Sequence, residues 1–239
     1  MKLIQGDCLE VMKDIPDGCI DMVMADPPYQ ITACAWDAII PLEPMWEQLK
    51  RVIKKNGAIV LTASQPFTTT LISSNMGMFK YEMIFEKDSP TNPLVAKKQI
   101  MRRHENICVF YGKQPTFIPQ MDKRQEKNKR NNAINNSYKT DTKGDTILHR
   151  QNIGNNDSVY PSSVKKFTRG CRGFHPTQKP VALMEYLIKT YTNEGETVLD
   201  FCMGSGTTLV ACRNLNRNGI GIEKDLQYFE MAKGRIQAI

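Results

Sequence analysis

Short, almost wholly apolar runs recur along the chain, and between them the apolar residues switch to helical spacing. The runs are KLIQG (2–6), IDMVMA (20–25), GAIVLTA (57–63), YEMIFE (81–86), NICVFYG (106–112), TVLDF (197–201) and GIGIE (219–223). Runs of this length, bounded by turn residues, read as strands buried on both faces. Between them Leu42, Met45, Trp46, Leu49, Val52 and Ile53 share one helical face that closes at Asn56-Gly57. Leu183, Met184, Leu187, Ile188 and Tyr191 mark a second such face, Leu209, Cys212 and Leu215 a third, and Leu226, Phe229, Ala232 and Ile236 a fourth. Each stripe reads as core packing. Strands alternating with helices leave one economical architecture: an α/β fold with a mostly parallel sheet covered by helices on both faces.

Residues 113 to 172 break this alternation. They hold 13 Lys and Arg against 5 Asp and Glu, whereas the rest of the chain carries 19 against 20, so this one segment accounts for the net charge of +7. A polyanion is the natural partner, with nucleic acid ahead of a membrane surface because no amphipathic helix accompanies the charge. The Asn- and Lys-rich stretch DKRQEKNKRNNAINNSYKT suits a solvated, flexible insertion and also a substrate-contacting module. The seven cysteines include no C-x-x-C pair and the three histidines are dispersed, which argues against both a disulfide framework and a zinc site. Reduced core cysteines fit a cytoplasmic protein. No apolar run is long enough to span a bilayer, and MKLIQGD lacks the apolar stretch of a signal peptide.

Two stretches carry chemistry. In VMADPPYQITACAWD (23–37), Asp26 stands just past a buried strand, where parallel α/β sheets place their ligands. Pro27 and Pro28 stiffen the turn, and Tyr29 offers a flat ring. A carboxylate and an aromatic on a rigid turn suit a flat, amine-bearing substrate. The second stretch, VLDFCMGSGTTLVACRNLNRNGIGIE (198–223), is a strand, a glycine-rich turn, a helix and a strand ending in Glu223. Gly204 and Gly206 let the backbone approach a ligand, Thr207-Thr208 lead into a helix, and Glu223 is placed to accept from ribose hydroxyls. A triphosphate-binding loop would need a lysine before Thr207, and a dinucleotide fingerprint wants a small residue where Leu209 stands.

DPPY, DFCMGSGTT and HPTQKP (175–180), in that order, resemble the S-adenosylmethionine-dependent amino-DNA methyltransferases of the permuted β group, over almost the whole chain. The resemblance implies a Rossmann-like, circularly permuted sheet of seven strands. Residues 1–112 would form its catalytic half, 113–172 an inserted target-recognition region, and 173–239 its cofactor-binding half. KLIQGD would be a middle strand, with its cofactor-binding predecessors supplied by the C-terminal end. AKKQIMRRHENICVFY (96–111) resembles the family's stretch before the last sheet strand.

By the same resemblance Asp26, Pro27, Pro28 and Tyr29 are the catalytic tetrapeptide. Asp26 and the Pro27 carbonyl accept from the target amine, and Tyr29 stacks on a base extruded from the duplex. For S-adenosylmethionine, Asp200, Phe201, Gly204, Ser205, Gly206, Thr207 and Thr208 are assigned to the methionine end, alongside Asp26. Glu223 is assigned to the ribose, and Asp7 and Cys8 to the adenine. Thr177, Gln178 and Lys179 would close over the methionine end. The family's usual Asp-Pro-Phe is here Asp200-Phe201-Cys202, which displaces the aromatic by one position. His175 reads equally as a turn cap, and Trp36 equally as a core anchor or part of a loop after the catalytic turn. Double-stranded DNA is the implied partner, gripped by Lys97, Lys98, Arg102, Arg103, Lys127, Lys129 and Arg130. Homodimerisation is a property of many family members, and no metal is needed. The target is adenine N6, with cytosine N4 as the alternative, since cytosine enzymes more often carry Ser at the position of Asp26. A non-catalytic DNA-binding protein of the same fold would not need both motifs intact.

Overall fold

A computed structural model describes residues 1–30, 38–91, 93, 96–124, 157–168 and 178–238. In chain order the elements are β1 (Lys2–Gln5), α1 (Cys8–Val11), β2 (Ile20–Ala25), α2 (Leu42–Val52), β3 (Ile53–Ala63), α3 (Phe67–Ser74), β4 (Phe79–Thr91) and β5 (Arg102–Phe110). There follow β6 (Asp122–Lys123), β7 (Ser158–Val159), β8 (Val164–Lys166), α4 (Val181–Tyr191), β9 (Thr197–Asp200), α5 (Thr207–Asn214), β10 (Asn218–Glu223) and α6 (Leu226–Gln237). They fall into two compact units, Met1–Ile118 with Ser162–Ile239, and Pro119–Pro161.

The larger unit is built on a sheet of order β1-β10-β9-β2-β3-β5-β4-β8. All seven expected strands are present, and β8, from within the basic segment, pairs parallel to β4 as an eighth. Pairings from β1 through β3 are parallel, while β5 runs antiparallel to both β3 and β4. The late strands β9 and β10 lie between the early strands β1 and β2, which is the permuted order in physical form. β1 is not the middle strand expected from the sequence. Among the described residues it pairs only with β10 at the sheet edge, and its polar ends Lys2 and Gln5 are exposed.

The side-chain period of two explains the layering. Val23 and Ala25 of β2, Ile59 and Leu61 of β3, and Cys108 and Phe110 of β5 face one side. There they meet Met45, Trp46 and Leu49 of α2 and Phe67 and Leu71 of α3. The alternate residues, Met22 and Met24, Ala58 and Val60, Ile107 and Val109, face the other. There they pack on Leu183, Met184, Leu187, Ile188 and Tyr191 of α4. Both faces are therefore covered, which is why β2 and β3 read as continuous apolar runs. α5 and α6 share a smaller cluster of Met203, Leu209, Val210, Ala232 and Ile236. Leu226, expected on that face, is exposed at the first position of α6.

α2 ends at Val52, earlier than its expected stop at Asn56-Gly57. The β-branched Ile53 turns to extended backbone and pairs with Ile20, so Asn56-Gly57 lies inside β3. Gly57 has no room for a side chain: a Cβ there would sit 2.8 Å from the Asp21 carbonyl oxygen. Within the smaller unit, β6 and β7 form an antiparallel pair, extended by the Arg124 amide donating to the Asp157 carbonyl at 2.7 Å. Among the described residues, no helix is long and apolar enough to cross a membrane.

Candidate active site

In this sheet the strand order runs outward in opposite directions from the boundary between β9 and β2. The C-terminal ends of those two strands are where an open parallel sheet places its ligand crevice, because the loops leaving them run in opposite directions. Asp26 follows β2 there. Asp200 ends β9, Glu223 ends β10, and Asp7 follows β1. Four carboxylates thus line one end of four adjacent parallel strands.

Asp26 is 27% exposed and held from several directions. Its Oδ1 accepts from the hydroxyls of Tyr29 and of Thr62, at the end of β3. Its Oδ2 accepts from Lys179 Nζ at 2.6 Å. Tyr29 is only 9% exposed and stacks on Phe67 with ring centroids 5.5 Å apart. Burial, reinforced by the Asp26 charge, pushes its phenol pKa well above the usual value, so it remains a donor. One ring face is already taken, and the hydroxyl orients the carboxylate, a task the sequence did not assign to it.

Lys179 was expected over the methionine end of the cofactor. It instead joins Asp26 to Glu105, whose Oε2 lies 3.0 Å from Nζ, and Glu105 Oε1 forms an ion pair with Lys87. Burial works to lower the Lys179 pKa, but the Asp26 and Glu105 carboxylates outweigh it and hold the ammonium charged. Burial likewise opposes ionisation of Glu105, yet Lys179 and Lys87 hold its carboxyl well below the usual range. Beside this chain lies a cleft of about 300 Å3 lined by Ser64, Gln65, Pro66, Lys87, Thr91, Arg102 and Glu105.

On the other side of Asp26, the glycine turn is built around backbone amides. Glu223 Oε2 accepts from the Gly204 amide and Oε1 from the Asp225 amide, both at 2.8 Å. Asp200 accepts from the Cys202 amide at 3.1 Å and from the Thr208 hydroxyl. Burial raises its pKa to about 7, with Asp26 and Glu223 adding to the rise. Among the described residues no cation pairs with it, so a ligand ammonium would supply the charge it lacks. Gly204 has φ +50° and its missing Cβ would point into open space, which leaves its backbone accessible. Asp7 caps α1 through the Leu9 amide at 3.0 Å and pairs with Lys224 at 3.0 Å. The pair with Lys224 keeps its carboxyl below the usual range. Burial pushes the adjacent Cys8 thiol up to about 12, so that side chain meets a ligand only as a neutral surface. The turn, the unpaired Asp200 and the row of acceptors fit an amino-acid-bearing nucleoside.

Several of the expected contact residues also make contacts within the protein itself. Phe201 is 1% exposed, with its ring in the core rather than against a ligand. Arg235 of α6 donates to the Ser205 carbonyl and to the Thr207 hydroxyl, both at 3.1 Å, so these residues tie the turn to α6. Gly206, at φ +77°, would place a Cβ 3.1 Å from Ala232 Cβ; that space belongs to α6, not to a ligand. The buried Gln178 Oε1 has no hydrogen-bond partner among the described residues. Lys97 and Lys98 are exposed. Arg102 donates to Ser64 Oγ at 2.6 Å, and Arg103 lies 3.4 Å from Glu86. Thr177, His175, Trp36, Lys127, Lys129 and Arg130 lie outside the described residues. Sequence reasoning missed Thr62, Lys87, Glu105 and Arg235. The visible signal for Thr62 was a polar residue inside an otherwise apolar run; Glu105 stands among charged residues just before the run 106–112, with nothing to single it out.

The DNA methylase family N6_N4_Mtase matches residues 20–234. The chain is 31% identical over 255 residues to the Type II methyltransferase M.BglII of Bacillus subtilis, covering 97% of this chain and 67% of that one. It is 27% identical to the Type II methyltransferase M.HpaI of Haemophilus parainfluenzae, covering 99% and 74%. The structure of M1.HpyAVI in complex with SAM superposes with a TM-score of 0.66 at 25% identity, covering 98% of each chain. The cytosine-N4-specific PvuII DNA methyltransferase shares the fold, with a TM-score of 0.68 at 15% identity over 98% of this chain and 85% of that one. With the tetrapeptide at the end of β2 and the glycine turn beside it, the chain belongs to the N6/N4 family of S-adenosylmethionine-dependent DNA methyltransferases.

Proposed function

We propose that the protein methylates the exocyclic N6 of an adenine extruded from double-stranded DNA. The observation that carries this reading is Asp26: a carboxylate just past β2, held by Tyr29, Thr62 and Lys179 beside the glycine turn. An exocyclic amine is a weak nucleophile because its lone pair is delocalised into the ring. Hydrogen bonds from that amine to Asp26 and to the Pro27 carbonyl draw the nitrogen toward tetrahedral geometry and free the pair. S-adenosylmethionine, when bound, supplies an electrophilic sulfonium methyl. Asp200 would hold the ammonium of its amino-acid end, Glu223 the ribose hydroxyls, and the Gly204 backbone would face it. Tyr29 would meet the base with the ring face opposite Phe67. The rate then rests on positioning and on acceptors aimed at developing positive charge, with no covalent enzyme intermediate.

Adenine is favoured over cytosine by Asp at position 26. The basic segment with Lys97, Lys98, Arg102 and Arg103 would contact phosphates, which position a protein without reading sequence. Nucleoside mass spectrometry on DNA treated with the enzyme and methyl-labelled S-adenosylmethionine tests the reading. Label in N6-methyldeoxyadenosine is expected. Label in N4-methyldeoxycytidine would reassign the target base, and no label in DNA would overturn the reading.

A further inference from the structure

We infer that Lys179, anchored by Glu105 and Lys87, is a positioning residue for methyl transfer. It fixes the plane of the Asp26 carboxylate and leaves one acceptor position for the target amine. The inference rests on Asp26 being the acceptor of that amine.

An ionised carboxylate offers roughly four lone-pair positions, two on each oxygen. On Asp26, Tyr29 and Thr62 occupy Oδ1, and Lys179 occupies one position on Oδ2 at 2.6 Å. The remaining position is therefore on the oxygen that Lys179 touches. Rotation about the carboxylate bond would have to break all three contacts at once.

Lys179 is itself fixed. Its side chain is 7% exposed, and it sits between Asp26 and Glu105, with Glu105 held in turn by Lys87. The four charged groups alternate in sign and sum to zero, so the chain of ion pairs sits in a largely buried setting without a net local charge. They come from four places in the chain: the turn after β2, β4, the start of β5 and the residue before Pro180. The sheet register therefore sets their spacing, since Phe85 pairs with Glu105 and Ala63 with Asn106. A buried pair stripped of one partner leaves an uncompensated charge, so each link depends on the next. Lys179 thus acts through Asp26, and Glu105 through Lys179.

The test uses the full chain and three variants: Lys179→Met, Glu105→Gln and both together. Single-turnover methyl transfer to duplex DNA is measured beside equilibrium affinities for S-adenosylmethionine and DNA. In Lys179→Met the rate is expected to fall by ~100-fold, as when one aimed polar group is removed from a reacting centre. Both affinities should stay within about threefold, a split between rate and binding that loss of fold would not give. Glu105→Gln keeps its volume and leaves Lys179 in place; a fall of ~10-fold is expected. Because Glu105 acts through Lys179, the double variant should be no slower than Lys179→Met. If Lys179→Met does not fold, Glu105→Gln alone decides by the same split. Near-wild-type rates, a loss confined to cofactor affinity, or multiplicative effects in the double variant would overturn the inference. Failure of the wild type to methylate DNA would instead overturn the reading beneath it.

Discussion

The two sides of the Asp26 crevice carry similar numbers of carboxylates and treat them in opposite ways. On the β9–β10 side, Asp200 and Glu223 are tied to backbone amides, and Asp200 has no cation among the described residues. On the β3–β5 side, Asp26 and Glu105 alternate with Lys179 and Lys87. The first arrangement leaves room for a cation, which fits the binding role proposed for it. The second is already balanced, so it is built to hold a group still while something neutral, such as a base, is presented to it.

The largest effect is expected at the seam. Asp26→Ala should lower single-turnover methyl transfer by ~1000-fold, because the target amine loses its acceptor. The affinity for S-adenosylmethionine should change far less; an equal loss in both would erase the distinction between the two sides.

Asp200 tests the binding side through pH. In the free protein its pKa is about 7. A cationic ligand needs the ionised form, so S-adenosylmethionine affinity should rise with pH through that value and level off above it. At pH 6 it should be about tenfold weaker than on the plateau. Asp200→Asn should weaken binding at pH 8 by ~30-fold and abolish the pH dependence. The fold should respond oppositely. A carboxyl raised from 3.8 to about 7 favours the folded state only while protonated. Unliganded stability should therefore fall as pH rises between those values, by a few kcal/mol at most. Thermal unfolding of wild type and Asp200→Asn across that range measures this.

The two glycines sharpen the boundary between binding and packing. Gly206→Ala meets Ala232 and Ile236 at a left-handed φ, so it should destabilise the fold by about 1–3 kcal/mol. Gly204→Ala has open space ahead of it. Its stability cost should be about 1 kcal/mol, with S-adenosylmethionine affinity falling by ~10-fold. Paired melting and binding measurements should place the two variants on different axes.

The smallest effect is expected from the exposed charge. Lys97→Gln with Lys98→Gln should flatten the plot of log DNA affinity against log salt by roughly 2, if each contacts a phosphate. Neutralising Lys127, Lys129 and Arg130 should flatten it by roughly 3, with turnover at saturating DNA retained. An unchanged slope in either would mark that cluster as a solvated face.

The alternation of apolar runs and helical stripes carried the architecture, because strands covered on both faces have no other way to appear in a sequence. The order of the three motifs carried the permutation. The edge position of β1 was harder to read, since its four residues show too little pattern to distinguish edge from centre. Asp26 was legible because a carboxylate after an apolar run is conspicuous. Its surroundings were not, because Thr62 meets it only across strand register, Lys179 reaches it from 153 residues away, and Glu105 acts on it only through Lys179. The glycine turn was legible only in part. Its small and hydroxyl residues were read as ligand contacts, and their packing against Arg235 and α6 was not visible in the sequence. A turn that must lie close to a ligand must also lie close to its own supporting helix, and composition does not separate the two demands.

The permuted strand order also governs how the chain can be assembled during synthesis. β2 pairs on one side with β3, its near neighbour in sequence, but on the other with β9. The amide of Thr197 reaches the Asp21 carboxylate across 176 residues. Until β9 has emerged from the ribosome, the apolar β2 presents an open edge, of the kind that recruits stray strands. Closure of the crevice must wait for that long-range pairing, and contacts so distant in sequence form slowly. The nascent chain therefore holds the Asp26 carboxylate, without the sheet's central seam, until β9 has been made. Chaperone demand should be concentrated in that interval.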